Sequence, residues 1–214
     1  MRKSTCSQKI LSIPAILSKT SLMPFPLVLI VLAAAWRLLA VHAPMLGNFS
    51  PLMALTFCGA VYFRDKRLWL VPFVALTLSD LYLNHYYAVT FHEGWSWQSE
   101  AARILCFGLA LPLGWMVAQR KNWLSLFGGA LGSSLLFYLI TNTDAWRHDP
   151  HYAQTAAGWW QALTVGRPEF APTYLFFRNT LASDLLFTGG FVLAMEFAAR
   201  RAGETSLLKK QPTT

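Results

Sequence analysis

The chain has 214 residues, 55% of them hydrophobic and only 13% charged, with a net charge of +8. A soluble globular domain carries roughly 25% charged residues, so the composition excludes an ordinary water-soluble domain. It also excludes a nucleic-acid partner, because the basic residues fall between apolar runs instead of forming a stripe.

Residues 1–23 carry Arg2, Lys3, Lys9 and Lys19 and lack the apolar core and small-residue cleavage site of a signal peptide, which predicts a cytoplasmic N-terminal tail. Six apolar runs follow, at 24–43, 51–63, 68–83, 101–118, 123–141 and 174–198, and each predicts a helix. Nine Trp and fifteen Phe suit the aromatic belts of a membrane protein. The expected fold is therefore an all-α membrane protein, a bundle of six transmembrane helices spanning 24–198 with the lipid bilayer as its solvent. Residues 199–214 form a basic cytoplasmic C-terminal tail in this reading.

The second run is the odd one. Its 13 residues make about 20 Å of helix, short of the roughly 30 Å hydrocarbon core. Ser50 before Pro51 reads as its start, with the serine oxygen taking a free amide hydrogen. Arg64 to Arg67 form the turn into the third run, which carries Asp80 in its far end.

Thirteen of the eighteen Lys and Arg residues fall in the N-terminal tail, the 64–67 turn, Arg120 and Lys121, and the segment after the sixth run. The positive-inside rule then makes both termini cytoplasmic, consistent with an even number of spans. All five histidines fall on the outer side, with the two long connections at about 84–100 and 142–173. Residues 151–165 read as an interfacial helix.

Packing leaves its own trace. Ala110, Gly114 and Ala118 recur at every fourth position, as do Gly128 and Gly132, which predicts close approach of the fourth and fifth helices. Ser-Asp-Leu occurs at both 79–81 and 183–185, a faint internal echo that pairs Asp80 with Asp184 for comparison.

Charged groups inside a bilayer are costly and mark functional positions by default. Arg37, 14 positions into the first run, either snorkels outward or pairs with a carboxylate. Asp184, ten residues after Tyr174, is about 15 Å deep. Asn48, Asn142 and Asn179 stand near outer helix ends, with Trp146 four residues beyond Asn142. These seven residues, Arg37, Asn48, Asp80, Asn142, Trp146, Asn179 and Asp184, are the expected substrate-binding set. The spacing of His148 and His151, and of His85, His92 and Glu93, matches no tight metal motif, so no metal site is assigned. The absence of GxSxG, HExxH, P-loop and GxGxxG patterns gives no ground for an enzyme or a bound cofactor. Uphill movement of a solute would then draw on an ion gradient or a partner.

The runs NFSPLMALTFCGAVYF, VPFVALTLSDLYL, TNTDAW and TYLFFRNTLASDLLF resemble, in order, an uncharacterised bacterial membrane family described as candidate transport proteins. That family is distantly similar to the substrate-binding S components of energy-coupling factor vitamin transporters. The resemblance spans about residues 25–198. It implies a bacterial inner membrane, a six-helix fold with the ligand near the extracytoplasmic side, and a transmembrane coupling subunit met through alanines four apart on the first helix. Here Ala33 is followed four residues later by Arg37, so that alanine pair is missing. The expected function is uptake of a small polar or aromatic solute through an outward-facing pocket. The rival is a non-transporting scaffold that recruits a partner through small-residue helix faces.

Overall fold

The computed structural model describes residues 24–40, 42–43, 46–63, 66–91, 96–201, 203 and 206–208. The expected N-terminal tail, most of the 199–214 tail, Arg64, Asp65, His92 and Glu93 lie outside these residues. The described chain is all-helical, with seven α-helices: α1 (Pro24–Ala40), α2 (Leu52–Tyr62), α3 (Leu70–Phe91), α4 (Trp97–Gln119), α5 (Trp123–His148), α6 (Ala156–Leu163) and α7 (Thr173–Arg201). A 3₁₀ turn over Lys66–Trp69 leads from α2 into α3. By length and composition, α4, α5 and α7 are each able to cross a membrane.

The short α2 is the axis of the bundle. Every residue from Met53 to Phe63 is buried, and α2 packs against α1, α3, α4, α5 and α7. A helix that is apolar on all sides must be covered on all sides, and this one is enclosed by its neighbours. Its shortness has the same origin, since a helix that never meets lipid need not match the bilayer thickness.

Two glycines allow the enclosure. A Cβ on Gly114 would stand 2.5 Å from the Ala60 Cβ and 2.8 Å from the Phe57 carbonyl oxygen, and one on Gly129 would stand 2.4 Å from the Phe57 ring. The small face of α4 therefore receives α2 at Gly114, and α4 also packs closely against α5 as the sequence pattern predicted, with Val117 3.1 Å from a Cβ built on Gly129. Gly128 and Gly132 have nothing within 4 Å among the described residues, so the close approach on α5 is made by Gly129 instead.

Polarity is turned inside out relative to a soluble bundle. Ser133, Ser134, Thr180, Ser183, Asp184 and Thr188 are buried, while Val31, Leu78, Met116, Leu124, Leu186 and Leu193 are exposed. Soluble monomers rarely expose contiguous apolar surface on this scale. An apolar solvent removes the conflict.

Helix ends differ from those predicted where polar residues close an apolar run. α3 continues through Asn84, His85 and Tyr87 to Phe91, and α5 continues through Asn142, Asp144 and Trp146 to His148. Polar side chains do not stop a helix. Asp149 precedes Pro150, whose ring disfavours helical geometry at the residue before it, and α5 ends there. Asn142 and Trp146 thus ride on a helix instead of in a connection. A helix is present within 151–165, as expected: it is α6, with Thr155 accepting the Gly158 amide at 3.2 Å.

The start of α2 also departs from expectation. Pro51 occupies the cap position and supplies no side-chain bond. The amide of Ala54 donates instead to Oδ1 of Asp184 on α7, at 3.0 Å. At the other end of α7, Glu196 accepts the Ser206 hydroxyl at 2.7 Å and the Leu207 amide at 2.9 Å, and Leu207 and Leu208 fold back against the core.

Candidate functional site

One end of the bundle holds a polar cavity built from α1, α3, α4, α5, α7 and the 46–50 loop. Its floor is an ion network. Arg37 on α1 pairs with Asp80 on α3 at 2.5 Å, and its other terminal nitrogen donates to the Ser79 hydroxyl at 2.5 Å. Asp80 is 3% exposed. A carboxylate this deep is tolerable only because a guanidinium faces it. Arg103 on α4 stands 3.8 Å from the second Asp80 oxygen and pairs with Glu100, one turn earlier on the same helix. Glu100 in turn accepts the Asn84 side-chain amide at 3.1 Å. Three helices are tied together by five charged or amide side chains.

The cavity has two chambers. The first, about 270 Å³, is lined by Arg37, Asn48, Asp80, Asn84, Tyr87 and Arg103 among others. The second, about 300 Å³, lies between α5, α7 and the loop before α7, where Tyr138, Thr141, Asn142, Tyr152 and Arg167 form its polar wall. A narrower recess of about 60 Å³ shares lining residues with both and is lined by Met53, Phe107, Phe137, Arg37 and Arg103 among others.

Asn48 lines all three spaces. Its φ of 60° is left-handed, a conformation open to asparagine at modest cost and poorly open to branched residues. The loop that carries it is pinned from two sides. Asn179 donates to the Gly47 carbonyl at 3.0 Å, the Thr180 hydroxyl to the Asn48 carbonyl at 3.2 Å, and the Trp36 indole to the Phe49 carbonyl at 3.0 Å.

Of the seven residues expected to bind substrate, the structure brings Arg37, Asn48, Asp80 and Asn142 to the cavity walls. The other three have different surroundings. Asn179 holds the 46–50 loop as described. Trp146 donates to the Ala153 carbonyl at 2.9 Å and fastens the segment before α6 onto α5. Asp184 is 1% exposed and is held by the Ala54 amide and by the Ser134 hydroxyl at 2.7 Å, deep beside the start of α2. The two Ser-Asp-Leu copies therefore do different work: Asp80 balances a guanidinium, and Asp184 closes a helix terminus.

Arg103, Glu100, Asn84, Tyr87 and Arg167 belong to the site or its supports and were not singled out by sequence. A signal for some of them was present, since Asp80 with Asn84 and Glu100 with Arg103 have the spacings that share a helix face. The extension of α3 beyond its apolar run hid it.

Outside the bundle, Asp149 organises the loop before α6. It accepts the His151 amide at 2.9 Å, faces the His151 ring at 2.6 Å, and meets Arg167 at 3.4 Å. Burial pushes its carboxyl up, but the bonds from His151 and the nearby Arg167 guanidinium outweigh burial and hold it below its ordinary value of 3.8. Arg167, which also faces Glu169 at 3.4 Å, thereby links this loop to the second chamber. Among the described residues no group of three or more His, Cys, Asp and Glu side chains is placed to hold a metal.

The chain belongs to a family of unknown function (DUF6580), which it matches over residues 18–207. No curated protein and no solved structure matches it.

Proposed function

We propose that this member of the DUF6580 family is a six-helix protein of the bacterial inner membrane that binds a small polar or aromatic solute for uptake. Its spans in this reading are α1, α2, α3, α4, α5 and α7, both termini are cytoplasmic, and α6 lies at the outer interface. The observation that carries the proposal is the two-chambered cavity at one end of the bundle, lined by polar side chains from several helices and floored by a buried ion network. Ligand sites of membrane transporters are built where polar groups converge between helices, and the combined space is of the size that small-molecule sites have. The distribution of basic residues supports the orientation, because thirteen of eighteen fall in the segments that this topology assigns to the cytoplasmic side.

In this role Arg37, Asn48, Asp80 and Asn142 orient the solute's polar groups. Asn179, Trp146 and Asp184 keep the walls in place. A coupling subunit, as the similarity to S components implies, would supply the energy. The scaffold alternative rests on Gly128 and Gly132, whose small faces are open to a partner helix.

A thermal-shift screen of the purified protein in detergent separates the two. A bound solute stabilises by about 2.7 kcal/mol at a hundredfold excess over Kd. Stabilisation by at least one vitamin, amino acid or nucleobase, weakened in Asn142→Ala, is expected. A well-folded protein that responds to no compound would remove the binding reading in favour of the scaffold.

A further inference from the structure

The second chamber, about 300 Å³, is walled by rings. Seven of its fifteen lining residues are aromatic, about three times the 14% share in the whole chain, and they come from α3, α5, α7 and the loops on either side of α6. Tyr138 on α5 and Phe177 on α7 stand with ring centroids 4.4 Å apart and planes tilted by 33°, so the two helices meet in one aromatic wall. Tyr152 and Phe170 add rings from the loops. The face of an aromatic ring carries negative charge density and attracts cations. Arg167 already uses this attraction, with its guanidinium over the Phe170 ring at 5.2 Å. We infer that the second chamber takes a small organic cation, a substituted ammonium held against these rings. The inference rests on the solute-binding reading and names both the class of solute and the chamber that holds it.

The polar side chains of the chamber favour the same charge. The hydroxyl hydrogen of Thr141 is committed to the Phe137 carbonyl at 2.8 Å, and that of Thr180 to the Asn48 or Phe176 carbonyl, at 3.2 and 3.1 Å. Asn142 gives an amide hydrogen to the Tyr138 carbonyl at 2.7 Å. To a ligand the two threonines are therefore acceptors, and Asn142 keeps its carbonyl oxygen. A group that brings positive charge or N–H donors suits such a lining.

Charge and size agree. Arg167, the guanidinium of this chamber, faces two carboxylates, Asp149 and Glu169, each at 3.4 Å, which leaves one negative charge in excess when His151 beside Asp149 is counted as neutral. An anion would have to compete with both carboxylates for Arg167. A neutral ring would stack on the walls and leave the excess charge unanswered. The volume is that of about ten waters at ~30 Å³ each, room for a quaternary ammonium head with a short tail or one ring.

The test titrates the full-length protein in a maltoside detergent, which carries no ammonium group, and reads melting temperature and intrinsic tryptophan fluorescence. Choline and phenyltrimethylammonium are the cationic probes. The alcohol 3,3-dimethylbutanol has the shape of choline without its charge, benzyl alcohol is a neutral ring, and benzoate is an anionic one. At least one cationic probe is expected to bind, with the neutral and anionic probes weaker by about tenfold or more, the discrimination that several ring faces give a desolvated cation. Tyr138→Leu should weaken that probe by about tenfold, and Tyr138→Phe, which keeps the ring face, should return the wild-type affinity. The variants are read only if their own melting transitions stay cooperative; the probe series on the wild-type chain stands without them. Equal or tighter binding of 3,3-dimethylbutanol, benzyl alcohol or benzoate overturns the inference and leaves solute binding intact. So does unchanged affinity in Tyr138→Leu, or silence of both cations when another compound of the wider screen binds. Silence of every probe and of the whole screen overturns both readings.

Discussion

The Asp184 carboxylate on α7 accepts the Ala54 amide at 3.0 Å, so the last long helix closes the first turn of the short central one across 130 residues of chain. Pro51, at the cap position, offers no side-chain acceptor of its own. Four amides at a helix start need partners from outside the helix, and inside a bilayer water does not supply them.

The consequence is a stability phenotype for Asp184. Asp184→Ala leaves the Ala54 amide and the Ser134 hydroxyl unpaired in a buried place and should cost about 2–5 kcal/mol. Asp184→Asn keeps an acceptor and should cost about 1–2 kcal/mol. Thermal melts in detergent check the order, and a solute titration of Asp184→Asn should return the wild-type affinity. A loss of affinity with an unchanged melting temperature would place Asp184 in the binding site after all.

Arg37 and Asp80 should behave as a unit. Removing either partner alone takes from the other its nearest counter-charge, leaving Asp80 with only the more distant Arg103, a loss of about 3–5 kcal/mol, whereas Arg37→Met combined with Asp80→Leu removes both charges and should cost less than either single change. A double-mutant cycle read from melting or expression measures the coupling. Additive losses would mean that the two side chains do not depend on each other.

The glycines divide by what they face. Gly114→Val drives its side chain into Ala60 and the Phe57 backbone and should destabilise by about 1–3 kcal/mol or more. Gly128→Ala and Gly132→Ala meet open space and should gain up to ~1 kcal/mol from helix propensity. Comparing the three melting temperatures is enough. If Gly128→Ala proved as damaging as Gly114→Val, the open face of α5 would have to be an interface.

Asp149 predicts an acid-sensitive loop. Its carboxyl is held below 3.8 in the folded chain, so its contribution is complete above that value and fades as pH falls through the lower, folded one. Hydrogen exchange of residues 149–155 should therefore rise below about pH 4. Asp149→Asn should show raised exchange already at neutral pH and a flatter acid profile. An identical profile in wild type and variant would remove Asp149 as the cause.

Much of this architecture was legible in the sequence because it follows from local rules. Apolar runs of fixed length and 13% charge in a 214-residue chain determined an all-helical bundle with apolar flanks. The shortness of 51–63 and the costly positions of Arg37, Asp80 and Asp184 were equally plain. What those charges do was not. Arg37 lies 43 positions from Asp80 in the chain, and Asp184 lies 130 from Ala54, and periodicity along one helix carries no information about which face of which other helix it meets. The tertiary structure decided that Asp80 answers Arg37 and Asp184 answers a backbone amide, that α2 is enclosed through Gly114 and Gly129, and that Arg103 completes the cavity floor. The physical reason is that hydrophobicity along a chain determines how much surface must be covered, while the partner of each buried polar group is chosen only when the helices pack.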